Sequence, residues 1–369
     1  MNAEMEAVRG ALDGGPALGL GMLGDEPQDV PEGTAVVIAT SGSSGIPKRV
    51  ILSAEALRAS AEATAARIGS GRWLLALPGG YVAGLQVLVR SVLAGTEPVA
   101  LEGGFSPRAF AEATLPMLRT SSEQLYTSLV PAQLGSLVEA AGDSTVRGAL
   151  QAYTAILVGG QALPEPLREA ASALGVQLVR TYGSSETSGG CVYDGIPLDG
   201  VEVRTADGEL WIAGPMLADG YLDDPALTER TFVRDESGIR WYRTGDLGIV
   251  DDGTVRVHGR ADNVIVSGGI NISLDRVERI VRGIPGLAPA VVVGIEDARW
   301  GEASVIVAPR GEALRRSEAE QLESAREAVA AELGKPARPV RLIIVDEIQT
   351  LASGKPDREA IRRIVAQFG

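Results

Sequence analysis

Two kinds of apolar segment alternate along the first half of the chain. Short runs rich in β-branched residues predict buried strands, and longer segments of good helix formers predict helices. The predicted strands are 34–39, 73–77, 124–130, 155–158 and 176–180, and the predicted helices are 3–12, 54–68, 85–93 and 164–174. Because strands that alternate with helices imply a largely parallel sheet, we predict an α/β fold whose site lies at the strand ends.

The pattern changes after residue 200. Between about 201 and 258, short strands alternate with tight turns such as 206–208 and 251–253, which predicts hairpins in a small β-rich part. A separate alternation follows and predicts a compact C-terminal α+β domain. Its predicted strands are 290–295, 303–308 and 340–345, its predicted helices are 274–282 and 318–333, and a closing helix follows residue 358.

Length and charge narrow the class of protein. A chain of 369 residues suggests two or three domains, and 45% apolar with 22% charged residues is typical of a globular protein. The net charge of -14 argues against a nucleic-acid surface. The single cysteine, Cys191, excludes a disulfide framework, and the single histidine, His258, excludes a histidine metal cluster. Without a signal peptide pattern or a membrane-spanning apolar run, the expected location is cytoplasmic.

A polar stretch after strand 34–39 is the first candidate for chemistry. It reads Thr40-Ser41-Gly42-Ser43-Ser44-Gly45-Ile46-Pro47-Lys48. Glycine lets backbone N–H groups turn toward an anion, hydroxyls add donors, and lysine brings a point charge suited to phosphate. Composition alone equally allows a flexible Ser/Gly hairpin or linker. Only three of the 34 basic residues are lysines, so Lys48 and Lys355 are conspicuous.

Four further polar motifs follow in a fixed order. They are Thr181-Tyr182-Gly183-Ser184-Ser185-Glu186-Thr187, Tyr242-Arg243-Thr244-Gly245-Asp246-Leu247-Gly248, Gly259-Arg260-Ala261-Asp262 with its continuation to 272, and Ser353-Gly354-Lys355-Pro356-Asp357-Arg358. Singly, each is compatible with a turn. Together they resemble the motifs of the acyl-adenylating superfamily, which includes acyl-CoA synthetases, peptide-synthetase adenylation domains and luciferases. The resemblance covers residues 34 to 358.

The resemblance implies a site for ATP, Mg²⁺ and CoA. Its phosphate-binding residues are Thr40, Ser41, Gly42, Ser43, Ser44, Gly45 and Lys48. Its adenine- and ribose-binding residues are Gly160, Gln161, Thr181, Tyr182, Gly183, Asp246 and Arg260. Ser185 would meet the α-phosphate, Glu186 would hold Mg²⁺, and Lys355 would be the catalytic lysine. A carboxylate would attack MgATP to give acyl-AMP and pyrophosphate, and the thiol of CoA would then displace AMP.

The same resemblance implies a division of the chain. An N-terminal domain would span 1–261 and a mobile C-terminal domain 262–369, with a hinge at Asp262. After adenylation the C-terminal domain would withdraw Lys355 and bring Ser267-Gly268-Gly269 to the thiol side of the site. Much of the superfamily's N-terminal subdomain would be absent, since the phosphate loop starts close to residue 1.

Substrate choice depends on a narrower resemblance. Ser128-Leu129-Val130-Pro131, the continuation 190–195 and the short N-terminal part are similar to the o-succinylbenzoate:CoA ligases of menaquinone biosynthesis, particularly actinobacterial ones. That similarity places Arg90 where a basic residue would bind the second carboxylate of the acid, which would otherwise be desolvated without a partner. Arg90 could equally extend to solvent. Tyr81 and Ser128 are the other expected substrate-binding residues.

The chain departs from the superfamily pattern at two positions, and two other functions remain possible. Tyr81 stands where the superfamily has histidine and cannot titrate near neutral pH, and Val266 stands where relatives often have lysine. The first alternative is a ligase that adenylates another acid and passes it to CoA or a carrier protein. The second is a non-catalytic nucleotide-binding protein. A homo-oligomer is a hypothesis that no motif supports.

Overall fold

The computed structural model describes residues 2–21, 29–40, 48–101, 103–120, 123–310, 317–351 and 355–368. The strands are β1 (Leu18–Leu20), β2 (Thr34–Thr40), β3 (Lys48–Ser53), β4 (Arg72–Leu75), β5 (Val99–Ala100), β6 (Leu125–Leu129), β7 (Ala155–Val158), β8 (Leu178–Ser184), β9 (Gly189–Tyr193), β10 (Ile196–Pro197), β11 (Glu202–Ala206), β12 (Glu209–Ala213), β13 (Gly220–Tyr221), β14 (Phe232–Arg234), β15 (Arg240–Asp251), β16 (Thr254–Arg260), β17 (Val264–Ser267), β18 (Ile270–Ser273), β19 (Val291–Asp297), β20 (Gly301–Pro309) and β21 (Arg341–Val345). The α-helices are α1 (Asn2–Leu12), α2 (Ala54–Ile68), α3 (Val82–Ala94), α4 (Pro107–Thr120), α5 (Pro131–Glu139), α6 (Ser144–Gln151), α7 (Glu165–Ala173), α8 (Pro225–Thr231), α9 (Leu274–Arg282), α10 (Glu318–Leu333) and α11 (Arg358–Gln367).

Seven strands form the central sheet in the order β10-β9-β8-β7-β6-β4-β5. The five strands from β8 to β5 are parallel, and β9 and β10 are antiparallel. Strand β7 is fully buried, with Leu157 in one hydrophobic core and Ile156 in the other, because helices cover both faces of the sheet. The predicted α/β class is confirmed.

A second sheet has the order β1-β2-β3-β13 and is mostly antiparallel. Thr40 at the end of β2 pairs with Lys48 at the start of β3. The pairing is antiparallel because β2 and β3 follow each other without a crossover helix, and the parallel strands of the predicted fold lie in the central sheet. The predicted phosphate-binding residues between them, which are Ser41, Gly42, Ser43, Ser44 and Gly45, lie outside the described residues.

Two further sheets, each of five strands, complete the described part of the chain. The β-rich part is an antiparallel sheet of order β11-β12-β15-β14 with β16 paired to β15, whose register puts Asp246 opposite Arg260. The last sheet has the order β18-β17-β20-β19, with β21 parallel to β20. Helices α9 and α10 supply Val277 and Val329 to its core, and α11 packs in a separate apolar cluster through Ile361.

Local sequence determined several element bounds. The structure confirms the predicted helices 54–68, 274–282 and 318–333, each of which follows a serine whose Oγ accepts an N–H from the first turn. A strand is present where 176–180 was predicted, but its bounds differ, because β8 runs from Leu178 to Ser184. Antiparallel pairing with β9 holds the second half of β8, so most of the predicted turn after residue 180 is strand.

None of the helices in the described ranges is long and apolar enough to cross a membrane.

Candidate active site

A cavity of about 720 Å³ lies where the central sheet, the β2–β3 sheet and the β-rich sheet meet. The predicted site residues that line it are Thr40, Lys48, Tyr81, Arg90, Ser128, Gly160, Thr181, Gly183, Ser185, Glu186, Arg260 and Lys355. Because β8 and β9 are in close contact, position 183 accepts only glycine: a Cβ there would lie 2.1 Å from the Gly189 carbonyl oxygen.

Glu186 is a buried carboxylate in the wall of this cavity. A 3₁₀ turn, Ser185–Thr187, carries it at the end of β8, and the Ala218 N–H donates to its carbonyl at 2.8 Å. The Tyr221 hydroxyl donates to Glu186 Oε1 at 2.9 Å, and the Lys48 ammonium lies 5.5 Å from the centre of the Tyr221 ring. Burial and the Glu186 charge raise the pKa of Tyr221, which keeps this hydroxyl protonated as a donor.

Lys355 reaches the cavity from the C-terminal part of the chain. Its Cε lies close to Gly160, where a Cβ would be 3.5 Å away. The side chain is accessible within the cavity yet surrounded by protein, so desolvation lowers the pKa of Lys355, while the charges of Glu186 and Asp246 oppose this effect. The charges of Glu186 and Asp246 thus favour the ammonium form of Lys355, and desolvation, the larger effect, disfavours it.

Arg260 joins two predicted acidic residues at the edge of the cavity. Its Nη1 donates to Asp246 Oδ1 at 3.3 Å, and its Nε and Nη2 donate to Asp262 Oδ1 and Oδ2 at 3.1 and 3.2 Å. The Tyr182 hydroxyl donates to Asp246 Oδ2 at 2.6 Å. Burial raises the pKa of Asp246, and these two partners oppose the rise. Tyr182, Asp246 and Asp262 adjoin the cavity through Arg260 without lining it.

Arg90 lies in a different environment, on α3. It is 7% exposed, and its guanidinium lies 5.0 Å from the centre of the Trp73 ring. Its Nη2 donates to Thr64 Oγ1 at 3.2 Å and to the Tyr193 hydroxyl at 3.4 Å, while its buried Nε has no hydrogen-bond partner. Within the described ranges no carboxylate forms an ion pair with it, and burial lowers the pKa of Arg90.

The Thr64 and Tyr193 hydroxyl oxygens both accept hydrogen bonds from Arg90. The Thr64 hydroxyl donates to the Ser60 carbonyl at 2.9 Å, so the Tyr193 hydroxyl, 2.9 Å from Thr64 Oγ1, is the donor in that pair. Both oxygens then act as acceptors for Arg90. The guanidinium is therefore oriented by uncharged hydroxyl groups.

The predicted thiol-side residues lie outside this cavity lining. Ser267 is buried and its Oγ donates to the Pro336 carbonyl at 2.8 Å. Gly268 and Gly269 have φ of +57° and +81° and form the turn from β17 to β18. The structure thus places Lys355, and not the Ser267-Gly268-Gly269 segment, at the cavity. Gln161 also does not line it.

Sequence reasoning missed several residues of the wall. Gln86 precedes Arg90 by one helical turn and lines the cavity, so helical spacing could have identified it. Tyr221 also lines the cavity and contacts Glu186, although its sequence surroundings gave it no predicted role. Thr64 and Tyr193 carry no local signal for their contact with Arg90, because that contact forms only in the folded chain.

The cavity brings together the Lys355 side chain, the buried Glu186 carboxylate and Arg90 beside the ends of the parallel strands β6 and β7. The sequence profile of AMP-binding enzymes matches residues 11–222, and that of the AMP-binding enzyme C-terminal domain matches residues 276–355. This chain belongs to the AMP-binding enzyme family.

Relatives with similar sequences are named as ligases that join succinylbenzoate to CoA. "Probable 2-succinylbenzoate--CoA ligase" of Mycobacterium tuberculosis is 40% identical over 343 residues, which cover 91% of this chain and 86% of that protein. 2-Succinylbenzoate--CoA ligase of Bacillus cereus is 30% identical over 363 residues, covering 91% of this chain and 71% of the relative. The structure of o-succinylbenzoate CoA synthetase from Bacillus subtilis, in complex with the acyl-adenylate intermediate OSB-AMP, matches with a TM-score of 0.73 and 28% identity, over 89% of this chain and 69% of that one.

Proposed function

We propose that this chain is an AMP-forming acid:CoA ligase that activates o-succinylbenzoate to its acyl-AMP and then forms o-succinylbenzoyl-CoA in menaquinone biosynthesis. The observation that carries the proposal is that one cavity is lined by Lys355 and Glu186 and also by Arg90, which forms no ion pair with a carboxylate of the described residues. A dicarboxylic acid needs both cations, one for the reacting group and one for the other carboxylate. The names of the relatives support this choice of acid.

In the first half-reaction, a carboxylate oxygen of the acid attacks the α-phosphorus of ATP, and the bond to the pyrophosphate oxygen breaks. The Lys355 ammonium offsets the charge that develops on the α-phosphate, and Ser185 donates a hydrogen bond there. Lys48, together with Thr40 and the residues between them, holds the pyrophosphate that leaves. In the second half-reaction, the thiol sulfur attacks the acyl carbon, AMP leaves with the bonding electrons, and the thiol proton passes to solvent.

Arg90 selects the acid by pairing with the carboxylate that does not react. Arg90 lines the cavity, and no carboxylate within the described ranges forms an ion pair with its guanidinium. An ion pair formed there is strong, because the surroundings are of low polarity and Trp73 already covers one face of the guanidinium. Tyr81 and Ser128 line the same cavity and shape the space for the acyl part.

Glu186 would hold Mg²⁺ together with phosphate oxygens of ATP. A carboxylate is the hard oxygen ligand that Mg²⁺ prefers, and Glu186 lines the cavity. The described residues contain no group of three or more acidic, histidine or cysteine side chains that could hold a metal ion. The phosphates would therefore complete the ligand shell. When bound, the ion neutralises phosphate charge.

The division at Asp262 is part of this proposal. The sheet beyond Asn263 has its own core, which is compatible with a C-terminal domain of residues 262–369. Its rotation would bring Ser267-Gly268-Gly269 to the thiol side of the site. Two spin labels, one on each side of residue 262, should show a changed distance distribution after acyl-AMP formation, and an unchanged distribution would contradict the rotation.

A homo-oligomer and a cytoplasmic location stay predictions. Light scattering of the purified chain measures its mass in solution, and a mass of one chain would contradict the homo-oligomer.

Pyrophosphate release from a panel of carboxylic acids, with and without CoA, tests the function. We expect o-succinylbenzoate to give the highest kcat/KM and to yield its CoA ester. A different preferred acid would favour another adenylating ligase. Pyrophosphate release without CoA ester would indicate an enzyme that stops at the adenylate, and no release with any acid would contradict the proposal.

A further inference from the structure

A series of charged contacts leads away from the segment that carries Lys355. Arg358, at the start of α11, donates through Nη1 to the Val292 carbonyl at 2.8 Å and through Nη2 to Glu278 Oε2 at 2.7 Å. Glu278 is buried and also accepts from the Val292 N–H at 2.9 Å. The Arg358 side chain therefore fastens the first turn of α11 to both α9 and β19.

The Lys355 segment depends on the position of that first turn. The Leu351 N–H donates to the Lys355 carbonyl, and the Asp357 N–H donates to the Gln349 carbonyl, both at 2.8 Å. Asp357 Oδ1 accepts from the Ala360 N–H at 2.9 Å and caps α11. A shift of the helix start would consequently move the Lys355 main chain.

Asp275, on α9, connects this region to the strand that ends at Arg260. Its Oδ2 accepts from the Arg260 N–H at 2.7 Å, its Oδ1 accepts from Asn263 Nδ2 at 2.7 Å, and its Oδ1 lies 3.8 Å from Arg358 Nη2. The Asp275 side chain lies so close to the Gly259 main chain that a Cβ at position 259 would be 2.6 Å from Asp275 Cβ. Only glycine at position 259 permits this contact.

We propose that Asp275 and Arg358 are positioning residues that set the Lys355 ammonium against Arg260 in the cavity. Neither side chain lines the cavity. They act through the Arg260 main chain on one side and the start of α11 on the other, so that one pair of charged groups fixes the positions of both Arg260 and Lys355. The inference rests on the proposed function, which assigns Lys355 to the adenylation half-reaction.

Two substitutions test the two ends of the connection. Asp275→Asn keeps the side-chain size, but the amide can accept from only one of the two donors, Arg260 N–H and Asn263 Nδ2, because its own NH₂ then faces the other. Arg358→Lys keeps the charge and removes the planar fork that reaches two acceptors at once. Neither substitution creates a large cavity, so both variants should fold.

Glu332→Gln is the matched control. Glu332, on α10, pairs at 3.8 and 3.9 Å with Arg276 and Arg279, which lie on α9 as Asp275 does. These pairs are on the surface, and none of the three residues lines the cavity. Such exposed pairs contribute little to stability. The control therefore perturbs a charge contact of α9 without touching the connection to Lys355.

The first measurement separates the two half-reactions. In both test variants we expect kcat for pyrophosphate release to fall about 10- to 100-fold, as when a reacting group is misplaced by about 1 Å. Thioester formation from supplied acyl-adenylate and CoA should stay within about 3-fold of the unmodified chain, since this step does not use Lys355. Equal losses in both half-reactions, or no loss in either, would overturn the inference.

The second measurement is independent of catalysis. Amide hydrogen exchange at Leu351 and Asp357 should be at least about 10-fold faster in Asp275→Asn and Arg358→Lys than in Glu332→Gln. Unchanged exchange would overturn the positioning role even if the enzyme proved active. If the unmodified chain releases no pyrophosphate with any acid, the proposed function fails, while the exchange rates still decide whether these residues hold the Lys355 segment.

Discussion

The cavity has two cationic sides that the protein treats differently. Lys355 is accompanied by the charges of Glu186 and Asp246, which oppose the effect of desolvation. Arg90 is buried beside Trp73 and Tyr193, and no carboxylate in the described ranges pairs with it. Carboxylates of the protein therefore act on the charge of one cation, and none in the described ranges forms an ion pair with the other.

In the proposed function, this difference separates a cation that takes part in the reaction from a cation that selects the acid. A lysine that must act on every substrate needs its charge maintained in the same way in each cycle, which protein carboxylates provide. An arginine that must choose a substrate works better unpaired, because an acid lacking the second carboxylate then leaves a buried charge without a partner. The four predictions below test this contrast, in order of decreasing effect.

The largest effect is expected on the lysine side. In Lys355→Ala, kcat for pyrophosphate release should fall about 10²- to 10³-fold, the usual result of removing one donor to a charged transition state. Stopped-flow measurement with saturating acid and ATP gives this rate. Lys335→Ala serves as the control, because Lys335 is an exposed lysine that does not line the cavity. A loss confined to KM would show that Lys355 binds substrate without acting in the reaction.

On the arginine side, the effect should depend on the acid. In Arg90→Ala, KM for o-succinylbenzoate should rise at least about 30-fold, because a buried charge pair contributes about 2–5 kcal/mol when one partner is removed. The KM for 4-oxo-4-phenylbutanoate, which lacks the ring carboxylate, should change much less. Arg108→Ala at an exposed site is the control. Equal changes for both acids would remove the selective role of Arg90.

The protonation of Lys355 should respond to its carboxylate neighbours. Because desolvation lowers the pKa of Lys355, the adenylation rate should fall on the alkaline side at a pH below the ordinary lysine range. The Asp246 charge raises that pKa, so Asp246→Asn should move the alkaline fall to still lower pH. NMR titration of isotope-labelled lysine measures the pKa directly, and assignment is simple with three lysines. A shift to higher pH would contradict the electrostatic account.

The smallest effect concerns the groups that orient Arg90. Tyr193→Phe removes one acceptor from the guanidinium and should raise KM for o-succinylbenzoate about 2- to 10-fold, the range for one hydrogen bond. The same variant should leave kcat/KM for the monocarboxylic analogue nearly unchanged. Steady-state kinetics on the two acids decide the point, and equal changes would indicate that Tyr193 shapes the cavity in general.

Much of the fold could be predicted from local pattern. Helices α2, α9 and α10 have the predicted bounds, because each combines a serine cap with residues of good helix propensity. Strand β8 could not be predicted correctly, since its second half exists only through pairing with β9. Composition left a hairpin between β2 and β3 as one of the open interpretations, because the alternation of strands and helices does not report which strands are neighbours.

The sequence by itself determined the family, because five motifs in a fixed order identify the superfamily. It also determined most of the candidate residues, because the type of each motif residue indicates which ligand group it would contact. Thus Lys48, Glu186 and Lys355 could be named before any coordinates. Only the tertiary structure decided that Arg90 turns inward onto Trp73 instead of toward solvent. The same holds for the connection from Asp275 to the Lys355 segment. Burial and charge pairing arise between residues far apart in the chain, so local pattern contains no information on them.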